Sequence, residues 1–409
     1  MSHTLSKNIH VIQNDQDAIN AAYHVADFAL EGRDQRDQNR QLPFAEVELF
    51  SQKGLGGIRI PQAFRGAFVS NKTLAQVFRI INKADSSVGQ IPQNQIALLN
   101  MIDILGNEQQ KQFIFNEILN GKRLANGGPE RNTKDTKTLS TTLSIENGRY
   151  YVNGEKFYST GSSFAHWLAI KALHPEGYVV LTIVDATAQG VEVIDNWNGF
   201  GQRTTSSGTV KLQRVEVDPL LIFDERKLAE DVNYRGAFSQ LMQVAIDVGI
   251  AEAAFEDTLS AVKKARPIVD AQVEKASFEH YTLQEVGKSA VLLDAAILLL
   301  DEAAEYLDEL DRLSVVSAEQ AAKASILVAE AKVYANDAAL QISEKLLELG
   351  GSRSSLSQHN LDQHWRNARV HTLHDPIRWK LHALGNYYFF HFNPKTRHMH
   401  ILFKAMPKP

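Results

Sequence analysis

The sequence predicts an α+β protein in three parts: a group of helices, a compact β unit, and a bundle of longer helices. Apolar residues recur at three- and four-residue steps from about residue 15 to 120 and again from about 230 onward, the spacing of one helix face. From about 123 to 225 the pattern changes to short alternating runs separated by turn signals. The chain has 409 residues, more than one ordinary core encloses. The expected division is a helical domain over 1–122, a middle β-barrel or sandwich domain over 123–228, and a four-helix bundle with a tail over 229–409.

In chain order, "DQDAINAAYHVADFALEGRDQ" places Ile19, Ala22, Val25, Ala26 and Ala29 on one helix face, and "NKTLAQVFRIINKADSSVGQIPQNQIALLNMIDIL" repeats that spacing. "GLGGIRIPQAFRG" between them reads as a Gly/Pro connector. In "TLSTTLSIENGRYYVNGEKFYSTG", Asn147-Gly148 and Asn153-Gly154 are both hairpin signals. "GYVVLTIVD", "GVEVIDNW" and "SGTVKLQRVEVD" follow at strand length. Ser317 and Gln320 form a capping box for a long helix that stops at Gly350-Gly351.

Composition narrows the function. A hydrophobic fraction of 44% and a charged fraction of 22% are those of a globular protein. A net charge of −5 provides no basic footprint for nucleic acid. Apolar runs such as "AVLLDAAILLL" are broken by charge well short of a membrane span, and "MSHTLSKNIHVIQND" lacks the apolar core of a secretion signal. With no cysteine there is no disulfide and no thiolate ligand or nucleophile. A cytoplasmic location is the expectation.

"GLGGIRI" does not fit G-x-G-x-x-G and lies between helices, which argues against a Rossmann site; P-loop, H-E-x-x-H and G-x-S-x-G motifs are absent. Eight of the fourteen histidines fall after residue 358, so a metal centre has to be weighed. His371 and His374 are three residues apart, and His359 and His364 five, without a supporting carboxylate in a ligand spacing, so no metal is expected. Packing beside Trp365 and Trp379 accounts for most of these histidines. His374 stands apart, because "HDPIRW" reads as a helix start with Asp375 at N-cap and Pro376 at N1. The positive helix end disfavours imidazolium while Asp375 favours it, which makes the ring a plausible base.

The order helical, β, helical, together with "GEKFYSTG" and "GG…HWRNAR", resembles the acyl-CoA dehydrogenase superfamily over nearly the whole chain. "GEKFYSTG" is similar to that family's G-x-K-x-W-I-T-N strand, and the resemblance puts Tyr158, Ser159 and Thr160 against a flavin. The departures carry as much information. Where the dehydrogenases keep a catalytic glutamate after the R-D-A-R helix, this chain has His374, and at the alternative position, in "FSQL", it has Ser239. "FYSTGSSFAHW", "NWNGFGQRTTSSGTV" and "NLDQHWRNARVHTLHDPIRWK" look like the flavin-dependent monooxygenases of the dibenzothiophene monooxygenase and sulfur-acquisition type.

That resemblance implies reduced FMN supplied by a separate flavin reductase, reaction with O₂ to a C4a-(hydro)peroxyflavin, and oxygenation of an organosulfur compound. It implies His374 beside the flavin C4a, Asn126 and Thr160 as hydrogen-bonding groups, and Trp197 on the pocket wall. It gives Lys264 and Arg266 to the FMN phosphate across a subunit interface of a homotetramer, with Arg353 a further candidate; ordinary solvated charge is the competing reading for all three. Gln90 and Asn94 stand where a His and a Tyr are expected and, with Ser163, line the substrate pocket, which points to a small sulfone, sulfonate or sulfide. The aromatic tail "NYYFFHFNPKTRHMHILF" is a candidate cover for a neighbouring site. An FAD-dependent acyl-CoA dehydrogenase with a displaced base and a catalytically silent homologue are the alternatives.

Overall fold

The computed structural model describes residues 9–131, 133–135 and 138–390. Seven helices come first: α1 (Asp15–Leu30), α2 (Arg33–Asn39), α3 (Phe44–Gln52), α4 (Asn71–Ala84), α5 (Ser86–Gln90), α6 (Gln93–Leu105) and α7 (Glu108–Leu119). The predicted continuous spacing from 71 to 105 is cut into three helices, because Asp85 caps α5 through the Ser87 and Val88 amides and Pro92 precedes α6. The glycines of "GLGGIRI" make room rather than bind phosphate. A Cβ on Gly56 would lie 2.5 Å from Gln95 Nε2. Gln95 in turn donates to the Gly56 carbonyl and accepts from the Leu124 amide, fixing α6 to the sheet that follows.

The sheet contains β1 (Leu124–Gly127), β2 (Thr142–Glu146), β3 (Arg149–Lys156), β4 (Trp167–Leu173), β5 (Val179–Asp185), β6 (Val191–Ile194), β7 (Thr209–Val217) and β8 (Ile222–Asp224). Their order is β6-β7-β3-β2-β4-β5-β8, with β1 parallel to β4. Asn147 and Gly148, both at positive φ, make the β2–β3 hairpin turn. Asn153-Gly154 does not make a second one. It lies inside β3, where the register against β7 shifts between Val152 and Gly154, a bulge that lets the strand continue to Lys156. The strand then stops, so the segment Phe157–Gly161 leaves the sheet instead of lying within a strand.

The long helices α8 (Arg235–Lys264), α9 (His280–Asp311) and α10 (Ala318–Leu349) are followed by α11 (Asp362–Thr372) and α12 (Ile377–Phe390). The Ser317–Gln320 capping box is present on both sides, Gln320 N–H to Ser317 Oγ and Ser317 N–H to Gln320 Oε1. One core joins α1 and α4 to the inner faces of α8, α9 and α10, and another joins α6 and α7 to β1, β4, β5 and β8. The first helices therefore clamp the sheet to the bundle, and the candidate site described next is drawn from all three parts. Among the described residues no helix is long and apolar enough to cross a membrane.

Candidate functional site

On the sheet side, two hydroxyl-rich loops face each other. Thr160 Oγ1 is 2.8 Å from Ser207 Oγ, Ser207 is 2.8 Å from Thr205, and Ser163 Oγ is 2.6 Å from Ser206 Oγ. The Ser159 N–H donates to the Gly208 carbonyl and the Gly161 N–H to that of Thr205. Tyr158 sits at φ 58, a left-handed conformation uncommon for a bulky residue, and presents a half-exposed ring. Its edge packs on Phe157 and, with centroids 6.1 Å apart, on Trp197, whose Nε1 donates to the Gln202 carbonyl. Asn126 is half-buried on β1, and its amide makes no hydrogen bond among the described residues.

On the helix side, α11 runs antiparallel to α8, with His364 2.7 Å from Asp257 and His371 2.5 Å from Asp247. His374 follows in the loop before α12, where Gln243 Nε2 lies 3.3 Å from its Nδ1. The helix start differs from the expected one. Helix α12 begins at Ile377, and the Asp375 carboxylate is 2.6 Å from Lys380 Nζ instead of capping. His374 is exposed to solvent, with charged side chains of the bundle around it. Its pKa is held down at about 4, first by that crowding and then by the charges of His371 and Lys332; Asp375 and Asp247 pull the other way. Solvent access weakens both the effect of crowding and that of the neighbouring charges.

Contacts link the two sides. A Cβ on Gly161 would lie 3.3 Å from Ile91 Cγ2 and 4.0 Å from the Ala125 Cβ. Ile91 is flanked by Gln90 and by the segment that reaches α8, where Gln93 Nε2 is 3.4 Å from the Ser239 carbonyl. Ser239 precedes Gln243 by one helical turn. These contacts connect the Thr160 loop to the segment of Gln90 and Asn94, and that segment to the part of α8 that carries Gln243, the partner of His374. The loop that carries Trp197 meets α11, with the Gln202 N–H donating to Asn367 Oδ1 at 2.7 Å. Gly201 allows this approach, since a Cβ there would lie 1.9 Å from the Arg366 carbonyl oxygen.

Lys264, Arg266 and Arg353 are elsewhere. Lys264 ends α8, twenty-one residues beyond Gln243, which is about 30 Å along the axis at 1.5 Å per residue. Arg353 follows α10 at the same end of the bundle, where a Cβ on Gly350 would lie 3.3 Å from the Ala261 Cβ, and it donates to His359 Nε2. These three are exposed and belong together, apart from His374 in the same chain.

Some residues of the site escaped sequence reading. Gln243 and the buried Asp247 and Lys332 are polar residues within apolar helix faces, a signal that could have been noticed. Gln202 and Ser159, both fully buried, have side-chain polar atoms with no partner among the described residues, as does the Oε1 of Gln90, Gln240 and Gln243. No three His, Asp or Glu side chains among the described residues are arranged to hold a metal ion. The expected tail cover falls mostly on 391–409, outside the described residues.

Three family models, the acyl-CoA dehydrogenase N-terminal, middle and C-terminal domains, match residues 17–122, 129–215 and 241–379. The FMN-bound structure of TdsC, a dibenzothiophene monooxygenase from Paenibacillus sp. A11-2, superposes with a TM-score of 0.87 at 27% identity, covering 92% of this chain and 98% of that one. Methanesulfinate monooxygenase MsuC from Pseudomonas fluorescens superposes with a TM-score of 0.84 at 26% identity and the same coverage. A probable FMNH2-dependent monooxygenase, SfnC from Pseudomonas putida, is 28% identical over 86% of this chain and 90% of its own. The chain belongs to the acyl-CoA dehydrogenase superfamily. Within it, the chain falls in the flavin-dependent monooxygenase branch.

Proposed function

We propose that the protein is a two-component, FMNH₂-dependent monooxygenase that uses O₂ to oxygenate a small organosulfur compound in sulfur acquisition. The observation that carries this reading is the Gln243–His374 contact, with the His374 pKa held down by its neighbours, at the chain position where the resemblance puts the dehydrogenases' carboxylate. A neutral imidazole suits an oxygenation that must hold and pass one proton. FMNH2 dependence in a relative, FMN in a neighbouring structure, and sulfur substrates in two relatives support the class.

The residues present fit a flavin. The free Asn126 amide, the unpartnered Ser159 hydroxyl and the Tyr158–Trp197 edge offer hydrogen bonds and an aromatic wall to a flat heteroaromatic ring. When bound and reduced, FMN supplies the two electrons and the site of O₂ activation. The remaining chemistry belongs to the chain. Asn126 and Thr160 orient the polar edge of the ring, and the Thr160–Ser207–Thr205 hydroxyl chain fixes Thr160. Gln243 holds Nδ1 of His374 and leaves Nε2 to manage the proton at the reacting oxygen. Either face of that amide serves, because Nε2 donates to a bare Nδ1 and the rotated amide accepts from Nδ1–H.

Gln90, Gln93, Asn94 and Gln240 give the substrate side an amide character suited to sulfur-bound oxygen rather than to a flat fused thiophene. Lys264, Arg266 and Arg353 are too far from His374 to serve its own chain, so their phosphate role is assigned across subunits of a tetramer. A flavin reductase is the required partner.

The test is ¹⁸O incorporation. The purified protein, a flavin reductase, NADH, FMN and ¹⁸O₂ are given methanesulfinate, dimethyl sulfone and dibenzothiophene separately. One ¹⁸O atom in a small substrate, dependent on FMN, is expected. Failure of the protein to bind FMN in either redox state would overturn the reading, and acyl-CoA oxidation without O₂ uptake would replace it with the dehydrogenase.

A further inference from the structure

Behind His374, three ionisable side chains are buried together in the bundle. Asp247 on α8 is 0% exposed, Lys332 on α10 is 1% and His371 on α11 is 3%. Lys332 Nζ is 2.6 Å from Asp247 Oδ2, and His371 Nδ1 is 2.5 Å from Asp247 Oδ1, so the carboxylate spends one oxygen on each partner. Burying such a set is costly, and an apolar trio of similar volume serves stability as well or better, so stability is a weak explanation for it.

The cluster is joined to His374 in two ways. His374 donates its backbone N–H to the His371 carbonyl at 3.1 Å. Gln243, which touches the His374 ring, lies one turn from Asp247 on the same helix, so both occupy one face of α8. We propose that Asp247, Lys332 and His371 form a buried positioning unit that holds the His374 imidazole in place and keeps it in its proton-accepting state. This rests on the reading of His374 as the proton-handling group.

The signs of the surrounding charges agree. Facing His374 are Lys332 from α10, His371 from α11 and Asp247 from α8, with Asp375 beside it in the loop and Lys380 of α12 paired to Asp375. Lys332 and His371 oppose a proton on His374, while Asp247 and Asp375 favour one. Asp247 itself stays ionised, because the charges of Lys332 and His371 outweigh the burial that would raise its pKa.

The measurement is the titration of the His374 imidazole by NMR, on the full chain without flavin, with ¹³Cε1-labelled histidine and His374→Gln to assign the resonance. Lys332→Met removes a cation and is expected to raise the His374 pKa by about one unit. Asp247→Asn removes the anion and is expected to move it the opposite way or leave it at its floor. His371→Gln, which can still donate to Asp247, is expected to follow Lys332→Met and serves where that variant does not fold. A purely structural role would leave the His374 titration in place in every folded variant. An unchanged or falling pKa in both Lys332→Met and His371→Gln would overturn the proposal. The readout needs no turnover, so its failure is separate from failure to find ¹⁸O in a product.

Discussion

At the scale of single residues, the proposed proton-handling group is an imidazole whose Nδ1 meets the Gln243 amide and whose charge is opposed by Lys332 and His371. Gln243→Leu keeps the volume and removes the hydrogen bond. It is expected to lower the oxygenation rate by about tenfold or more without loss of FMN affinity, since a mispositioned proton donor or acceptor costs on that order. Steady-state rates and FMN titration check it. His374 drew notice in the sequence because the Asp-Pro pair marks a chain break beside it and the family resemblance puts a carboxylate there. Asp247 and Lys332 each stand out as a charge on an apolar helix face, but that they pair was not legible. Their pairing joins residues eighty-five apart across two helices, and each alone reads as a stray charge on an apolar face.

At the scale of elements, caps and close approaches decide where the pieces stop. Ser317→Ala is expected to cost about 1 kcal/mol, the usual value of a lost N-cap, seen as a lower urea midpoint at constant slope. Gly201→Ala forces the Trp197 loop off α11, because its methyl would meet the Arg366 carbonyl, and is expected to weaken FMN binding more than it lowers stability. The second hairpin signal, Asn153-Gly154, misled because the same dipeptide also suits a bulge, and only pairing with β7 distinguishes the two. The helix start at Ile377 rather than Pro376 is a shift of one residue, but it turns Asp375 from a cap into the partner of Lys380.

The buried Glu130–Lys156 pair fixes the loop after β1 to the end of β3. Hydrogen bonds from Lys156, Ser140 and Thr141 overcome the opposing effect of burial and hold the Glu130 pKa at about 2, below its ordinary 4.5. A depressed carboxylate contributes stability that is complete above the unfolded value and disappears as pH falls from about 4.5 to about 2. Glu130→Gln is expected to flatten that part of the stability profile and to lower stability at pH 7, because it leaves the Lys156 ammonium buried without its partner. Denaturant midpoints at several pH values check both effects.

At the scale of the whole molecule, two shared cores join the three units, and Lys264 stands about 30 Å along α8 from Gln243, at the end of the bundle that also carries Arg266 and Arg353. Under the proposed function, that separation is the reason to place these cations at a neighbouring subunit's FMN phosphate. Lys264→Ala with Arg266→Ala is expected to raise the FMN dissociation constant while leaving the ¹⁸O pattern of residual turnover unchanged, with light scattering reporting four copies. The three-part order was legible because its hydrophobic period changes twice. The contacts between the parts were not, because they join segments far apart in sequence, such as Gly161 and Ile91.

The central claim is that His374 directs the electrons of reduced FMN and O₂ into substrate. The direct measurement is the ratio of oxygenated product to hydrogen peroxide per NADH consumed, for the native chain and for His374→Ala, at saturating FMN. The account predicts mostly product for the native chain and mostly peroxide for the variant, with FMN binding retained. Equal ratios in the two proteins would contradict it.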